Sequence, residues 1–534
     1  MKYNTFFVAI LFSLFISVSC SEDFLDRNSL IELSEGSLWK SENDAVLAVN
    51  ALYDINREFI NSIVIYGMMD DFTDISYQSW ATGLTTGSFP TNAAFYSNAW
   101  GAFYKGINRA NKVLENVPDI PMDTEVKNRL LGEAKFFRGY YYFKLWNYFG
   151  GVPLYTQSMG VDEAYKPRNS EEEVYQLIVS DMSDAYNLLP ESYDQSSLGR
   201  ATKWAALSMR GKAHLWAKQY AEAASDFKEV IEQSDRELID DFSLLFQIEG
   251  NNNREVIFDV QYVAEDGYGI ATDLNYGNAM GSTPGSQRTR PTPHLVNAFE
   301  MLDGSAFDFS RFTNAEGAPF DPDNPEDWND EDAVRQLFEN RDPRLHQSIV
   351  VPWASFHGRG GKDYLYKFPV DDSDPDAYVP IWQNGSYAWR KFVPTGSSHT
   401  LARNVPVNIP IIRLADVYLM YAEAQNFHNG PDDSVYEAVN MVRQRAGMPD
   451  LPGGLNEEEM FEKIQHERMI ELAGEGQRYD DLRRWKLARE KIDGVWMKTF
   501  TGVNIRQRGF PENFYLWPIP QVEIDINPDL TQNP

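Results

Sequence analysis

The chain has 534 residues, of which 43% are apolar and 14% aromatic, a composition that excludes a disordered polymer and is enough to bury a large core. Its net charge of −31 excludes a nucleic-acid binder, because phosphates need a basic surface. The same charge excludes a protein held on anionic lipid by electrostatics.

The first residues read as an address. Lys2 is the only charge before Glu22, Phe6 to Val18 is an apolar run, and Ser17, Val18 and Ser19 supply small residues around a cleavage point. The pattern predicts a secretory signal peptide over 1–19, too short to span a membrane and stay there. Cys20 is the only cysteine, so the exported chain has no internal disulfide. Its place resembles the lipobox cysteine of bacterial lipoproteins, which makes Cys20 the expected lipidation site and 20–37 a tether. The acidic spacer Ser21-Glu-Asp-Phe-Leu-Asp26 resembles an outer-leaflet signal of some Gram-negative lineages.

Residues 38–59 read as a helix capped at Ser41. Residues 66–98 read as a long loop with exposed rings, because Tyr77, Trp80, Phe89, Phe95 and Tyr96 fit no period. A helix resumes at Trp100 and ends before Pro118. The next helix organises the chain. Leu130, Ala134, Phe137, Tyr141, Leu145 and Tyr148 recur at helical spacing, and Phe136, Tyr140 and Phe143 line a neighbouring face, so the helix is predicted to be buried nearly all round. Asp123 can cap its start, and Gly150-Gly151 followed by Pro153 stops it. Arg138, among the aromatics, is expected to be paired.

Residues 170–188 form another amphipathic helix. Residues 202–231 read as a helix pair in which Leu207, Gly211, Tyr220, Ala223, Phe227 and Val230 fall where a tetratricopeptide unit places its packing residues. A similar pair appears at 416–426 and 434–445. The fold class expected is therefore mostly α, with tetratricopeptide-like helix pairs forming a helical body over 38–249 and 411–534. Between them, 250–410 reads as a long irregular, loop-rich excursion carrying short strands, the first at Glu255–Tyr262. The acidic stretch Asp321–Asp332 lacks the glycine and closing glutamate of a calcium loop and reads as a solvated acidic loop, so no metal or cofactor is expected.

Three C-terminal segments carry a specific resemblance. They are Ile411-Ile-Arg-Leu-Ala-Asp-Val-Tyr-Leu-Met-Tyr-Ala-Glu-Ala-Gln-Asn426, Gln465-His-Glu-Arg-Met-Ile-Glu-Leu-Ala-Gly-Glu-Gly-Gln-Arg-Tyr-Asp-Asp-Leu-Arg-Arg-Trp485 and Tyr515-Leu-Trp-Pro-Ile-Pro520. With the central helix ending in Phe-Gly-Gly-Val-Pro, they resemble the SusD/RagB family of outer-membrane lipoproteins along the full length. The resemblance implies a helical body with an irregular ligand-binding face, at the cell surface of the outer membrane. It also implies a partner, the SusC-like TonB-dependent outer-membrane barrel, to which captured oligosaccharides, less often peptides, are delivered. No catalytic residues are implied.

The residues argue against an enzyme. His466-Glu-Arg-Met-Ile lacks the second histidine of a zinc motif, and the chain has no Gly-x-Ser-x-Gly elbow. Glu467, Glu471 and Glu475 stand at spacings of four on one helix face, and paired carboxylates can hydrolyse glycosides. Arg468, Arg478, Arg483 and Arg484 lie close by, which favours a structural ion network over a glycosidase. A helical scaffold for proteins explains the helix pairs but not the aromatic-rich loops. Sugar binding needs flat apolar faces with polar groups beside them. Trp80, amid Gln78, Ser79, Thr82 and Thr85, leads the candidates, followed by Tyr77, Tyr276, Trp328, Trp353, Trp382 and Tyr387.

Overall fold

The computed structural model describes residues 39–534, apart from 65–66, 79–81, 161–164, 266, 271–286, 359–360, 370–373, 375, 377–384 and 396–403. Six helices come first: α1 (Glu42–Val64), α2 (Ala94–Asn116), α3 (Thr124–Phe149), α4 (Glu171–Leu188), α5 (Lys203–Trp216) and α6 (Tyr220–Gln233). Each packs on the next, as a solenoid of helix pairs does. Local chemistry sets their ends. Ser41 caps α1, its Oγ accepting from the Asp44 amide while Asp44 accepts from the Ser41 amide. Ser170 and Glu173 close a capping box on α4.

The central helix α3 is buried nearly all round, as its spacing predicts. Asp123 accepts the Glu125 and Val126 amides at its start, and Gly150 ends it at φ +74°. Three consecutive tyrosines survive burial because each hydroxyl finds an acceptor in a different direction. Tyr140 donates to Asn56 Oδ1 (3.3 Å), Tyr141 to the Leu52 carbonyl (2.5 Å) and Tyr142 to the Tyr155 carbonyl (3.1 Å). Arg138 grips Asp181 with two hydrogen bonds, at 2.6 and 2.7 Å, and donates to Asn111 Oδ1. In the α5–α6 pair, a Cβ on Gly211 would stand 2.8 Å from the Phe227 ring, so only glycine lets the helices approach.

After α6 the chain leaves the stack and returns to it. The helix α7 (Leu414–Asn429) packs on α6, followed by α8 (Asp433–Arg445), α9 (Glu457–Glu471) and α10 (Gln477–Arg484). The buried apolar residues form one cluster running from Ala45 to Leu530.

The strands are short: β1 (Ser76–Gln78), β2 (Val256–Val260), β3 (Thr289–Pro291), β4 (Ile349–Val350), β5 (Ser355–His357), β6 (Asp363–Leu365), β7 (Ala388–Trp389), β8 (Ile409–Arg413), β9 (Trp496–Lys498) and β10 (Asn504–Gln507). Among the described residues they make five two-stranded antiparallel sheets. The β2–β8 pair closes the excursion at its base, since the departing strand hydrogen-bonds the returning one.

The expectation of a long open loop with exposed rings over 66–98 is corrected. Its described residues hold a short 3-10 helix, β1 and a helical turn, and α2 begins at Ala94 rather than Trp100. Phe95 and Tyr96 pack against Trp517, with centroids 4.9 and 5.6 Å away, and Phe89 packs on both of them. The acidic loop is also less solvated than expected. Asp327 is buried and accepts from the Asp321 amide and the Asn324 side chain, which folds the loop onto itself.

Candidate functional site

The three glutamates of the C-terminal segment are closed off from solvent. The helix α9 ends at Glu471, so Glu475 stands in the following turn rather than on the helix face. Glu467 meets Arg344 (2.5 Å) and Arg443 (3.1 Å), Glu471 meets Arg344 (2.8 Å), Arg413 (2.6 Å) and Arg445, and Glu475 meets Arg413 (2.8 Å) and Lys391 (2.9 Å). All three are buried. Burial would raise the Glu471 carboxyl, but the Arg445, Arg413 and Arg344 guanidinium groups outweigh it and hold Glu471 well below the usual range. Burial works against the Lys391 ammonium and brings it down to about 8, even with Glu475 beside it. These carboxylates form a structural network that ties β8, α8 and α9 to the excursion. They lack the open pair of carboxyls that glycoside hydrolysis needs.

The aromatic candidates divide into three groups. Tyr77, Trp328 and Tyr387 are buried, with at most 3% of their surface open. Trp328 and Tyr387 pack on Phe500, whose centroid lies 4.5 Å from Trp328 and 5.0 Å from Tyr387, and Tyr77 is tied to the residue before Tyr387. The Trp328 indole donates to the Pro322 carbonyl at 3.1 Å, and the Tyr77 hydroxyl meets Ser386 Oγ at 2.9 Å. None of the three presents a free face for stacking in this structure. Phe500 has no motif around it. The only local signal was Gly502, which marks the turn between β9 and β10.

Trp353 is half-buried and lines a groove of about 320 Å³ with Arg335, Phe338, Glu339, Arg341 and His346. Its backbone holds φ +64° and donates to the Tyr366 carbonyl at 2.6 Å. Its indole N–H is buried and meets no acceptor among the described residues, an arrangement that costs free energy unless water or a ligand completes it. Arg341 is spent on the Phe299, Leu337 and Val296 carbonyls, and burial brings it down to about 10. His346 contacts the Phe338 carbonyl through Nε2 at 2.9 Å, and burial lowers its pKa, which favours the neutral ring.

Trp80, Tyr276 and Trp382 lie outside the described residues. The described residues that flank them do converge. In the β1–β3 ladder Gln78 pairs with Thr289, so the C-terminal end of β1 and the N-terminal end of β3 lie together. Gln287 donates to the Tyr387 carbonyl (3.2 Å), and Tyr366 donates to the Ser386 carbonyl (2.6 Å). Tyr366 in turn accepts the Trp353 amide, which places the Trp353 groove beside the same junction.

Among the described residues, no group of three or more His, Cys, Asp or Glu side chains could hold a metal, and no helix is long and apolar enough to cross a membrane. Cys20 and the rest of the leader lie outside the described residues.

Comparison with known proteins gives consistent findings. The profile of the SusD family matches residues 254–534, and a second profile, described as starch-binding associating with outer membrane, matches residues 23–215. The chain is 28% identical to a SusD-like protein of Formosa agariphila, over 100% of this chain and 98% of that protein. It is 21% identical to the starch-binding protein SusD of Bacteroides thetaiotaomicron, over 76% of this chain and 72% of that one. The crystal structure of a SusD-like carbohydrate binding protein from Bacteroides fragilis superposes with a TM-score of 0.78 at 25% identity, covering 92% of this chain and 99% of the other.

Proposed function

The chain belongs to the SusD family, and on that premise we propose that it is a cell-surface lipoprotein of the outer membrane that captures oligosaccharides without cleaving them. It is anchored through lipid on Cys20 and passes its ligand to a SusC-like TonB-dependent barrel. The binding face comprises Trp353 and the rings of Trp80, Tyr276 and Trp382, with Tyr77, Trp328 and Tyr387 as its buried floor.

One observation carries this reading. Gln78, Gln287 and Gly385 each adjoin one end of the segments that carry Trp80, Tyr276 and Trp382, and hydrogen bonds at Tyr77–Ser386 and Gln287–Tyr387 hold these three ends together. Described residues far apart in sequence therefore meet at one place. The names of the relatives, starch-binding and carbohydrate binding, support the ligand class. A shallow face buries only part of a ligand, so dissociation constants are expected in the micromolar to millimolar range, about −8 to −4 kcal/mol.

The test is a glycan and peptide screen of the purified protein, with product analysis of the same samples. Binding of an oligosaccharide with no new reducing ends supports the reading. Binding of peptides alone would move the ligand class, and cleavage would replace the binder with an enzyme.

A further inference from the structure

A pocket of about 200 Å³ lies where the start of α2, the chain just after α3 and the C-terminal turn meet. Trp100, Tyr104, Tyr155, Tyr165 and Ile526 wall it, and among the described residues Glu523 is the one charged side chain of its lining. It shares no lining residue with the Trp353 groove.

The walls are held by local chemistry. Trp100 and Tyr104 stand four apart on α2 and so share a face, with centroids 4.9 Å apart. Tyr104 meets Tyr155 edge-on at 5.7 Å, and its hydroxyl donates to the Pro153 carbonyl at 2.9 Å. The short helix Gln521–Ile526 carries Glu523 and is fixed at both ends. The Gln521 amide donates to the Thr91 carbonyl, and Asn527 Nδ2 donates to the Lys166 carbonyl at 3.0 Å. Trp100 and Tyr155 are buried, at the bottom, whereas Tyr165 and Ile526 keep 50% and 54% of their surface open, at the mouth. Gly101 also lines the pocket, and a Cβ there would meet no atom within 4 Å, so the room above it is unfilled.

The charge narrows the ligand. Glu523 is half-buried and makes no ion pair among the described residues. Burial raises its carboxyl above the ordinary value of 4.5, so the charge is partly desolvated without a counter-ion. After burial, that same charge is what raises the Tyr155 hydroxyl, so the carboxylate faces the rings. The Tyr155 ring already serves a cation of the chain itself, since Lys166 Nζ lies 4.9 Å from its centroid. An anion would be repelled by Glu523. A bound metal ion takes several oxygen ligands, and one carboxylate supplies too few. A neutral ligand would leave the carboxylate desolvated and unpaired. A cation with an apolar coat suits both parts of the lining, because aromatic faces attract it and the carboxylate pairs with it. The net charge of −31 raises the concentration of such cations around the chain.

We propose that this pocket binds a small organic ammonium ion, with Glu523 as its counter-charge and the Trp100, Tyr104 and Tyr165 rings as its apolar wall. No saccharide enters the argument, so the proposal stands apart from the function proposed above.

The test is calorimetry at constant ionic strength on the full-length protein in non-ionic detergent. Choline is the probe, and its neutral isostere, in which a tert-butyl group replaces the trimethylammonium, is the control. Choline is expected to bind about tenfold or more tightly than the isostere, since only the charge differs. Glu523→Gln should weaken choline about tenfold or more and remove its advantage over the isostere. Gly101→Leu has room for its Cβ and favours the helix, so it should fold at least as well as wild type and block both probes by filling the pocket. Trp353→Ala should bind choline like wild type. The proposal is overturned if choline does not bind, if the isostere binds as tightly, or if either Glu523→Gln or Gly101→Leu binds choline like wild type. Loss of choline binding in Trp353→Ala would move the cation to the loop face and overturn it as well.

Discussion

The Tyr77 hydroxyl and Ser386 Oγ stand 2.9 Å apart although 309 positions separate them in the chain. The contact joins β1, near the start of the body, to the last turn before β7 in the excursion. It lies below the junction where Gln78, Gln287 and Gly385 meet.

Tyr77→Phe removes this hydrogen bond and keeps the ring. Ser386 Oγ is then left in a buried site with one partner fewer, at a cost of about 1 kcal/mol. Thermal unfolding should show a small drop in midpoint. Oligosaccharide affinity should fall as well, because the segment ends lose their link. A variant that melts lower but binds like wild type contradicts the positioning role.

Glu471→Gln is expected to be far more damaging. It removes one carboxylate charge shared by Arg344, Arg413 and Arg445, and breaking a buried pair costs about 3–5 kcal/mol. The pH dependence has a definite sign. The folded carboxyl is held well below its ordinary value of 4.5, so its stabilisation is fully present above that value and is lost as pH falls towards the folded pKa. Urea midpoints should therefore drop steeply in the wild type below that pH and less steeply in Glu471→Gln. Parallel curves for the two proteins contradict the account.

Cys20→Ala tests the anchor. The variant is expected to remain unprocessed or to leave the membrane fraction, and normal processing with membrane retention contradicts lipidation at Cys20.

The helical framework was largely legible because its signals are local. Asp123, Gly150 and the apolar spacing between them delimit α3, and Gly211 with Phe227 marks a helix pair whose members are adjacent in sequence. The pairing of Arg138 followed from its apolar surroundings. The loop face was less legible because its partners are remote. Nothing near Trp328 announces Phe500, nothing near Phe95 announces Trp517, and nothing near Tyr77 announces Ser386. A ring without a period looks exposed in sequence, and here long-range contacts bury several of them. The C-terminal glutamates lie between these cases. The nearby arginines suggested an ion network, but Arg344 and Arg413, its principal partners, come from the excursion and from β8.

The central claim is that the rings around the junction hold an oligosaccharide, and calorimetry of Trp80→Ala, Trp353→Ala and Trp382→Ala against the best ligand of the glycan screen tests it most directly. Each change should weaken binding by about tenfold, near 1.4 kcal/mol, with unchanged circular dichroism and little dependence on salt. Wild-type affinity in all three variants would contradict the account.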